Sequence, residues 1–447
     1  MIEAGREYSA EIRDIALPSG HGVTRLGDLV VFVPGAVPGD RVRLRIVRLN
    51  KRFAYGELVM IEEESRLRER PRCPHVGRCG GCDLQALSYE AQLKIKENHL
   101  VQVLRRVGGQ DLEGVAVASI VPSVDTFFYR GKVEFSFGEA DGRVALGLSE
   151  RPSPLRPSKG RVVPVDGCSL FSPAAAQALP VVHEWLRRTG LTAYNPLTGK
   201  GTLKRLVLRE AKGTGEIMCH LIAASHISRL PGDLGELLPG AVAQLRSFYA
   251  TGAATRLLWG KPAIDERLAG FTFRIYPLSF FQPNPKTAGK LYERLIAVAG
   301  LTGGERVVGL YCGAGTIELF LSRHAKEVTG IDSSKENIAA ARENAGLNRL
   351  HNCLFLKDKA EKAARRFKAG RVDLLVIDPP RKGLTREAVA AVREIRAERL
   401  AYISCNPSTL ARDLLSLKEV YKARQVVPFD FFPHTSHFEV LTLLERR

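Results

Sequence analysis

The spacing of apolar residues divides the chain into three parts. Over residues 1–62, apolar and polar positions alternate in short stretches, such as 29–33 and 41–49, which are separated by Pro and Gly turns. Alternation with a period of two is typical of β-strands that bury one face. The pattern therefore predicts a small all-β unit at the N-terminus.

From about residue 285 the pattern becomes an alternation of helices and short apolar runs. It predicts helices at 286–299, 334–346 and 385–397, and buried strands at 306–311, 327–332, 372–377 and 401–405. Repeated strand–helix units of this kind predict a doubly wound α/β sheet that is mainly parallel. Ligands of such sheets bind beyond the carboxyl ends of the strands, so we expect the chemistry there.

The residues between these two parts have no single period. A segment with clustered cysteines at 73–90 leads into a helical stretch at 89–107, and strands and loops dominate from about 120 to 270. We therefore expect three domains: a small β-barrel at 1–64, a mixed α+β central domain at 65–280 and a Rossmann-like domain at 281–447.

The charge balance changes the picture. The 447 residues contain 66 Lys and Arg against 48 Asp and Glu, a net charge of +18. Such an excess favours a polyanionic partner such as RNA, although a basic enzyme without such a partner remains an alternative. Within the stretch at 41–49, a period of two puts Arg41, Arg43 and Arg45 on one face, which suits RNA phosphates.

Several locations and classes are disfavoured. No apolar run approaches the ~18–20 residues that span a bilayer, and the first residues lack the apolar core of a secretory signal. We therefore expect a cytoplasmic protein with no membrane contact, and we predict no protein partner. Eight cysteines in that setting indicate metal binding, packing or catalysis rather than disulfides.

One group of cysteines has the spacing of a metal site. Cys73, Cys79 and Cys82 lie within ten residues, and Cys168 is the best candidate for a fourth ligand. Thiolates bind soft metals, and the two glycines before Cys82 allow a tight turn. The spacing alone leaves a [4Fe–4S] cluster and tetrahedral zinc open.

A glycine turn follows the first predicted strand of the C-terminal part. It contains Gly313 and Gly315, and Asp332 ends the next strand, 19 positions after Gly313. This arrangement suits a ribose-bearing cofactor, either NAD or S-adenosylmethionine. Glu318 replaces the third glycine of the dinucleotide motif, and an anion there would repel a pyrophosphate. The methyl donor is therefore favoured.

Two further motifs follow strands of this sheet. An Asp-Pro-Pro motif begins at Asp378, where the carboxylate can hold a donor amino group or a substrate edge. A Ser-Cys-Asn-Pro motif at 404–407 puts the thiol of Cys405 at a strand tip, where a nucleophile belongs. Downstream, Glu439 is a candidate base, with His434 and His437 as alternatives.

Taken together, these motifs resemble the RNA (uracil-5-)-methyltransferase family, specifically its branch that acts on 23S ribosomal RNA. The resemblance covers nearly the whole chain. It rests on residues 404–407, the His-x-Glu at 437–439, the Phe-Phe-Gln-Pro-Asn at 280–284, the four cysteines and an N-terminal unit similar to a TRAM domain. The tRNA-acting branch is expected to be similar only in its catalytic half, without the TRAM unit and the cysteines.

The resemblance implies an S-adenosylmethionine-dependent class I methyltransferase domain and a role for each motif. It implies that Cys405 is the nucleophile and Glu439 the base that removes a proton. It also implies that the four cysteines bind [4Fe–4S], and that 23S rRNA, free or in an assembling large subunit, is the substrate. The residues implied to line the donor site are Gln282, Tyr311, Asp332, Asp358 and Asp378.

Other functions share parts of this pattern. A DNA cytosine-5 methyltransferase uses the same attack on C6, but that family has a Pro-Cys pair, whereas here Pro407 follows the cysteine. A tRNA uracil-5-methyltransferase would keep the chemistry and change the substrate. A non-catalytic RNA-binding or ribosome-assembly factor would keep only the fold.

Overall fold

The structure is a computed structural model that describes residues 2–108, 115–152, 161–225, 231–367 and 372–447. Its first sheet lies in the N-terminal unit and has six strands in the order β1-β5-β6-β4-β3-β2. These strands are β1 (Glu7–Glu11), β2 (Asp14–Ala16), β3 (His21–Leu26), β4 (Leu29–Val33), β5 (Arg41–Leu49) and β6 (Phe53–Glu63).

The alternation along β5 confirms the predicted period of two. Val42, Leu44 and Ile46 are buried in the core of this unit, while the three arginines that alternate with them are exposed. These arginines are not free cations, because each is paired with a glutamate on a neighbouring strand. The pairs are Arg41 with Glu62 and Glu63, Arg43 with Glu62, and Arg45 with Glu7 and Glu57. A phosphate therefore has to compete with these exposed, individually weak ion pairs.

The central residues form a seven-stranded sheet in the order β10-β9-β8-β11-β12-β13-β14, together with a hairpin of β15 and β16. Trp185 and Leu179 of a covering helix are buried in the core beneath this sheet. The elements are α1 (Tyr89–Gly108), β7 (Ala116–Val117), β8 (Lys132–Ala140), β9 (Arg143–Ser149), β10 (Val162–Pro164), α2 (Pro173–Ala176), α3 (Ala178–Thr189), β11 (Leu203–Glu210), β12 (Ile217–Ala223), α4 (Leu234–Ala241), β13 (Leu245–Thr251), β14 (Thr255–Gly260), β15 (Ile264–Leu268) and β16 (Phe271–Ile275).

The third large sheet has eight strands in the order β19-β18-β17-β20-β21-β23-β22-β7. The first five strands in this order are parallel to one another. The strand β23 lies between β21 and β22 and is antiparallel to both. The elements are α5 (Pro285–Ala299), β17 (Arg306–Leu310), α6 (Thr316–Ser322), β18 (Glu327–Asp332), α7 (Lys335–Leu347), β19 (Cys353–Lys357), α8 (Ala364–Phe367), β20 (Leu374–Ile377), α9 (Arg386–Ile395), β21 (Arg399–Ser404), α10 (Pro407–Leu417), β22 (Tyr421–Phe429) and β23 (Glu439–Arg446).

Both faces of this sheet are covered, which confirms the predicted doubly wound α/β domain. Along β20, Leu374 and Val376 belong to one hydrophobic core, and Leu375 and Ile377 to the core on the opposite face. The predicted strands and helices occur within a few residues of their expected limits. The strand β19 was not predicted, because it is a short edge strand with Leu354 exposed.

Helix α1 and strand β7 precede residue 280 in sequence but pack on the C-terminal sheet. Leu100 and Val103 of α1 share a core with Leu410 and Leu414 of α10, and β7 pairs with β22. A helix that precedes the central sheet in sequence thus forms part of the layer that covers the C-terminal sheet.

Candidate active site and cysteine cavity

The glycine turn after β17 forms one wall of a crevice at the carboxyl edge of the sheet. Tyr311 has a φ of 63°, and Gly313 and Gly315 have φ values of 54° and 80°. A Cβ on Gly315 would lie 2.9 Å from the Phe355 ring, so only glycine fits there without displacement. Burial raises the pKa of Tyr311 to about 12.

Asp332 closes this turn from the end of β18. Its Oδ2 accepts a hydrogen bond from the Gly313 N–H at 3.0 Å, and its Oδ1 accepts one from the Ser334 N–H at 2.8 Å. Asp358 follows β19 and donates its N–H to the Asp332 carbonyl at 3.0 Å. Its own carboxylate is held by Arg366 and by the Lys359 N–H. The two predicted acids therefore lie side by side.

The structure does not support the expectation that Glu318 presents an anion to a ligand. Its carboxyl group is buried, and its Oε1 would lie 2.0 Å from a Cβ on Gly309, so it packs into the sheet. Burial raises the pKa of Glu318 to about 8. The group is therefore mainly protonated at neutral pH, and repulsion of a pyrophosphate by a fixed negative charge is not supported.

Cys405 and Glu439 are brought together by strand pairing. Cys405 directly follows β21 and Glu439 begins β23, and in this antiparallel pair Ser404 lies opposite Val440. Asp378 follows β20, the other neighbour of β21, and its N–H donates to the Leu310 carbonyl at 3.4 Å. One thiol and two carboxyl groups from three adjacent strands therefore meet at the sheet edge.

Burial dominates the electrostatics of this cluster. Burial, followed by the Glu439 carboxyl, raises the pKa of the Cys405 thiol to about 11, and Arg381 opposes this shift. Burial raises the pKa of Glu439 well above its ordinary value, with a further contribution from Asp378. Burial also raises the pKa of Asp378 to about 7. A positive charge entering the crevice would favour the ionised form of all three groups.

The segment at 280–284 forms the opposite wall. A Cβ on Gly313 would lie 4.0 Å from the Phe280 ring, so this segment borders the glycine turn. Asn284 begins α5 as its N-cap and donates through Nδ2 to the Phe431 carbonyl at 3.0 Å. Gln282, which is half-buried, lies between these two fixed points.

Residues 430–438, which we call the base loop, connect β22 to Glu439. Lys96 of α1 is fully buried and its Nζ lies 2.6 Å from Asp430 Oδ1. The Tyr129 hydroxyl donates to the Pro433 carbonyl at 3.1 Å. Burial lowers the pKa of His434 to about 4 and also lowers that of His437. Both histidines are therefore weaker bases than usual at neutral pH.

The four predicted metal ligands line a separate cavity, which we call the cysteine cavity. Cys73, Cys79, Cys82 and Cys168 all line this cavity of about 260 Å³. The Gly81 N–H donates to Cys79 Sγ at 3.4 Å, and Gln85 Nε2 donates to Cys82 Sγ at the same distance. In the described part of the chain, no three His, Cys, Asp or Glu side chains form a group that could hold a metal ion.

The thiols of the cysteine cavity influence one another. Burial raises the pKa of Cys82 to about 12, and the neighbouring Cys168 and Cys79 raise it further. Burial also raises the pKa values of Cys79 and Cys168. Arg130, which lines the cavity, lowers the pKa of Cys82 and of Cys168. Four thiolates would be costly here without a bound cation.

Sequence reasoning missed two groups that the structure brings to these sites. Arg381 influences both Cys405 and Glu439 and also lines the cysteine cavity. Arg381 directly follows the Asp-Pro-Pro motif at a strand end, and this position could have indicated that its side chain lies near the site. The buried pair of Lys96 and Asp430 joins residues 334 apart in sequence, and the helical pattern around Lys96 indicated only a basic helix.

Comparison with known proteins gives consistent matches over the whole chain. A family model described as TRAM domain matches residues 3–59, and one described as tRNA (Uracil-5-)-methyltransferase matches residues 252–447. An uncharacterized RNA methyltransferase of Clostridium acetobutylicum is 34% identical over 100% of this chain and 98% of its own length. Another uncharacterized RNA methyltransferase, from Caldanaerobacter subterraneus subsp. tengcongensis, is 35% identical over 100% of this chain and 99% of its own length.

A solved structure is also similar over the full length. The tRNA (uracil-54, C5)-methyltransferase of Pyrococcus abyssi, in complex with S-adenosyl-L-homocysteine, superposes with a TM-score of 0.76 at 27% identity, covering 98% of this chain and 100% of its own. The expectation that tRNA-acting enzymes match only the catalytic half is therefore wrong.

No helix among the described residues is long and apolar enough to cross a membrane.

Proposed function

Because this chain belongs to the family of S-adenosylmethionine-dependent RNA uracil-5-methyltransferases, we propose that it methylates C5 of a uridine in 23S ribosomal RNA, in the cytoplasm, through a covalent bond to Cys405. The observation that carries the catalytic part of this proposal is the pairing of β21 with β23, which places Cys405 beside Glu439. A nucleophile and a base side by side are what the reaction at uracil C5 requires.

Cys405 supplies the nucleophile. C5 of uracil is weakly nucleophilic until an atom adds to C6, so the thiolate attacks C6 and the displaced electron pair makes C5 carbanion-like. The donor, when bound, supplies a methyl group on a positively charged sulfonium. The thiol needs help to ionise, because its pKa is about 11 in the free protein. This value already includes the lowering by Arg381, so further help has to come from the positive charge of a bound donor.

Glu439 completes the reaction. After methylation C5 carries both the methyl group and a hydrogen, and removal of that hydrogen as a proton allows the C6–S bond to break. Burial raises the pKa of Glu439 well above its usual range, which makes its carboxylate a stronger base than an exposed glutamate. The proton moves to the Glu439 carboxylate, and the electron pair of the C6–S bond returns to Cys405.

The donor site consists of Gln282, Tyr311, Asp332, Asp358 and Asp378. Its acidic residues suit a donor that carries a sulfonium and an ammonium group. Asp332 and Asp358 adjoin the glycine turn and are placed for the ribose and the base. Asp378 is bonded through its N–H to Leu310, next to Tyr311, and its charge acts on the Cys405 thiol, which suits it to the charged part of the donor.

The cysteine cavity holds a [4Fe–4S] cluster on Cys73, Cys79, Cys82 and Cys168. The choice of a cluster over zinc rests on the family resemblance, and the four cysteines line one cavity of about 260 Å³. N–H groups that donate to Cys79 and Cys82 stabilise the thiolate form. Methyl transfer from a sulfonium is redox-neutral, so the cluster organises the fold around the RNA-binding face.

The substrate has two candidates. The target uridine must leave its stack to reach Cys405, at a cost of about a few kcal/mol, and the basic central domain offsets that cost by holding the RNA. The resemblance of the motifs to the 23S rRNA branch supports ribosomal RNA, whereas the N-terminal unit does not distinguish the branches, because the similar tRNA enzyme covers it as well. The full-length similarity to a Pyrococcus abyssi tRNA (uracil-54, C5)-methyltransferase supports transfer RNA as the second candidate.

One assay separates these substrates. The purified protein, kept anaerobic, is incubated with labelled donor and either unmodified large-subunit rRNA or unmodified tRNA, and the product is mapped by mass spectrometry. A Cys405→Ala preparation serves as the control for contaminating activity. Methylated uridine in rRNA alone supports the proposal, and label in tRNA alone supports the second candidate. No label in either RNA contradicts both and leaves a non-catalytic RNA-binding factor.

A further inference from the structure

The loop that carries Cys82 is bonded directly to the base loop. Asp83 follows Cys82, and its Oδ2 accepts hydrogen bonds from the Ser436 N–H at 3.1 Å and the Ser436 hydroxyl at 3.0 Å. In return, the N–H groups of Asp83 and Leu84 donate to the His434 carbonyl at 2.9 and 3.0 Å. Four hydrogen bonds thus join two segments that lie about 350 residues apart in sequence.

Arg151 fixes the other side of the Asp83 carboxylate. Its Nη1 donates to Asp83 Oδ1 at 2.9 Å, and its Nη2 donates to the Cys82 carbonyl. The two side chains are only 17% and 14% exposed, so this charged pair is largely shielded from water. Hydrogen bonds to a shielded carboxylate are among the stronger ones in proteins. Asp83 is therefore held rigidly and holds Ser436 in turn.

Ser436 lies three residues before Glu439, at the end of the base loop. Lys96 and Tyr129 hold the first half of that loop, whereas Asp83, Leu84 and Gln92 contact residues 434 and 436 in its second half. An anchor that belongs to the cysteine loop thus holds the residues that lead into Glu439, whose own strand is paired with β21 and β22. His437 and Arg381, which flank the reacting groups, line the cysteine cavity directly.

We propose that Asp83 is a positioning residue for the proton-abstraction step, linking the cysteine loop to the segment that carries Glu439. The proposal rests on the proposed function, since it takes Glu439 as the base. Asp83 does not touch the reacting atoms; it sets where the base lies. Loss of this link slows removal of the C5 proton while attack by Cys405 and methyl transfer continue.

The test is Asp83→Asn in the full-length protein. Replacing one carboxylate oxygen by an amide turns an acceptor into a donor that faces Arg151 or Ser436, without changing the side-chain volume. We expect turnover to fall about tenfold or more, and a covalent RNA–protein adduct that already contains the methyl group to accumulate. The adduct is measured on denaturing gels with labelled RNA, alongside bound metal and RNA affinity, both of which stay at wild-type levels.

The matched control is Asp166→Ala. Asp166 is exposed and lies two residues before Cys168, near a cysteine of the cavity in sequence but without the link to Ser436. It should show wild-type turnover and no adduct. A loss of turnover in Asp83→Asn that is accompanied by loss of metal or of RNA binding, with no adduct, would overturn the proposal.

Ser436→Ala tests the same link from the other side and lies outside the cysteine loop, so it decides the matter if Asp83→Asn does not fold. This substitution removes the hydroxyl donor to Asp83 and keeps the backbone N–H donor. We therefore expect turnover to fall by a smaller factor, about threefold, and the same methylated adduct to accumulate. Glu439→Gln is the reference. An adduct in Glu439→Gln but in neither link variant rejects this proposal, whereas no adduct in Glu439→Gln rejects the assignment of the base itself.

Discussion

The catalytic crevice and the cysteine cavity both bury thiols, and burial is the main reason why the pKa of Cys405 and that of Cys82 are raised. They differ in what surrounds the sulfur. The neighbours of Cys405 are two carboxyl groups and Arg381. The neighbours of Cys82 are mainly other cysteines, with Arg130 as the opposing cation.

This difference agrees with the ligand that we propose for each site. Buried acids around a single thiol are relieved by a ligand that carries positive charge, which is a property of a sulfonium donor. Thiols that raise one another's pKa are relieved by a metal centre that bonds to all of them. The crevice is therefore suited to transient chemistry at one sulfur, and the cavity to permanent binding by four.

The largest expected effect is the loss of methylation when the thiol of the crevice is removed and the cysteine cavity is left intact. Cys405→Ala should lower the methylation rate at least about a thousandfold, because no other group can form the bond to C6. Binding of donor and RNA and the content of bound metal should remain unchanged, as measured by calorimetry and metal analysis. Cys353→Ala, a partly buried packing cysteine, is the control. Turnover by Cys405→Ala near the wild-type rate would contradict the assignment of Cys405 as the nucleophile.

The second effect concerns stability. Cys82→Ala should lose the bound metal and lower the melting temperature by about 10 °C or more, because metal binding by a structural site contributes directly to folding. Cys219→Ala is a matched control: burial raises the pKa of Cys219 to about 12 as well, but no other thiol contributes to that shift. It should keep the metal. Equal metal content in Cys82→Ala and wild type would refute the ligand set.

The smallest effect concerns the buried acid Glu318, which packs into the sheet. The pKa of Glu318 is raised by burial from 4.5 to about 8, so the folded state retains a proton that the unfolded state releases between these values. Stability therefore falls as pH rises from about 5 to 8, by up to about 1.4 kcal/mol per pH unit from this group.

Glu318→Gln cannot titrate, so its stability relative to wild type should increase over the same interval. Urea unfolding at pH 5, 6, 7 and 8 measures the difference, with the exposed Glu387→Gln as the control. A difference that does not change with pH would show that Glu318 is ionised throughout.

Local sequence patterns predicted the strand ends of the parallel sheet well. Asp332, Asp358, Asp378 and Cys405 each end or follow a parallel strand, and the rule that such ends share one edge brings them together. The exposed face of β5 was equally predictable, because a period of two is a local property.

Contacts between distant segments were not predictable in the same way. The place of Glu439 depends on the antiparallel insertion of β23 beside β21, which no local period encodes. The ion pairs of Arg43 and Arg45 depend on the register of β5 with its neighbours. Lys96 looked like one of many surface cations, and only Asp430, from the far end of the chain, accounts for its burial.

The central claim is that Cys405 and Glu439 act on the same uridine, and it is tested most directly by trapping that uridine. Glu439→Gln is incubated with donor and substrate RNA, the adduct is digested, and the cross-linked peptide is sequenced by mass spectrometry. The account predicts a 5-methylated uridine attached to Cys405. Attachment at another residue, or an adduct without the methyl group, would contradict it.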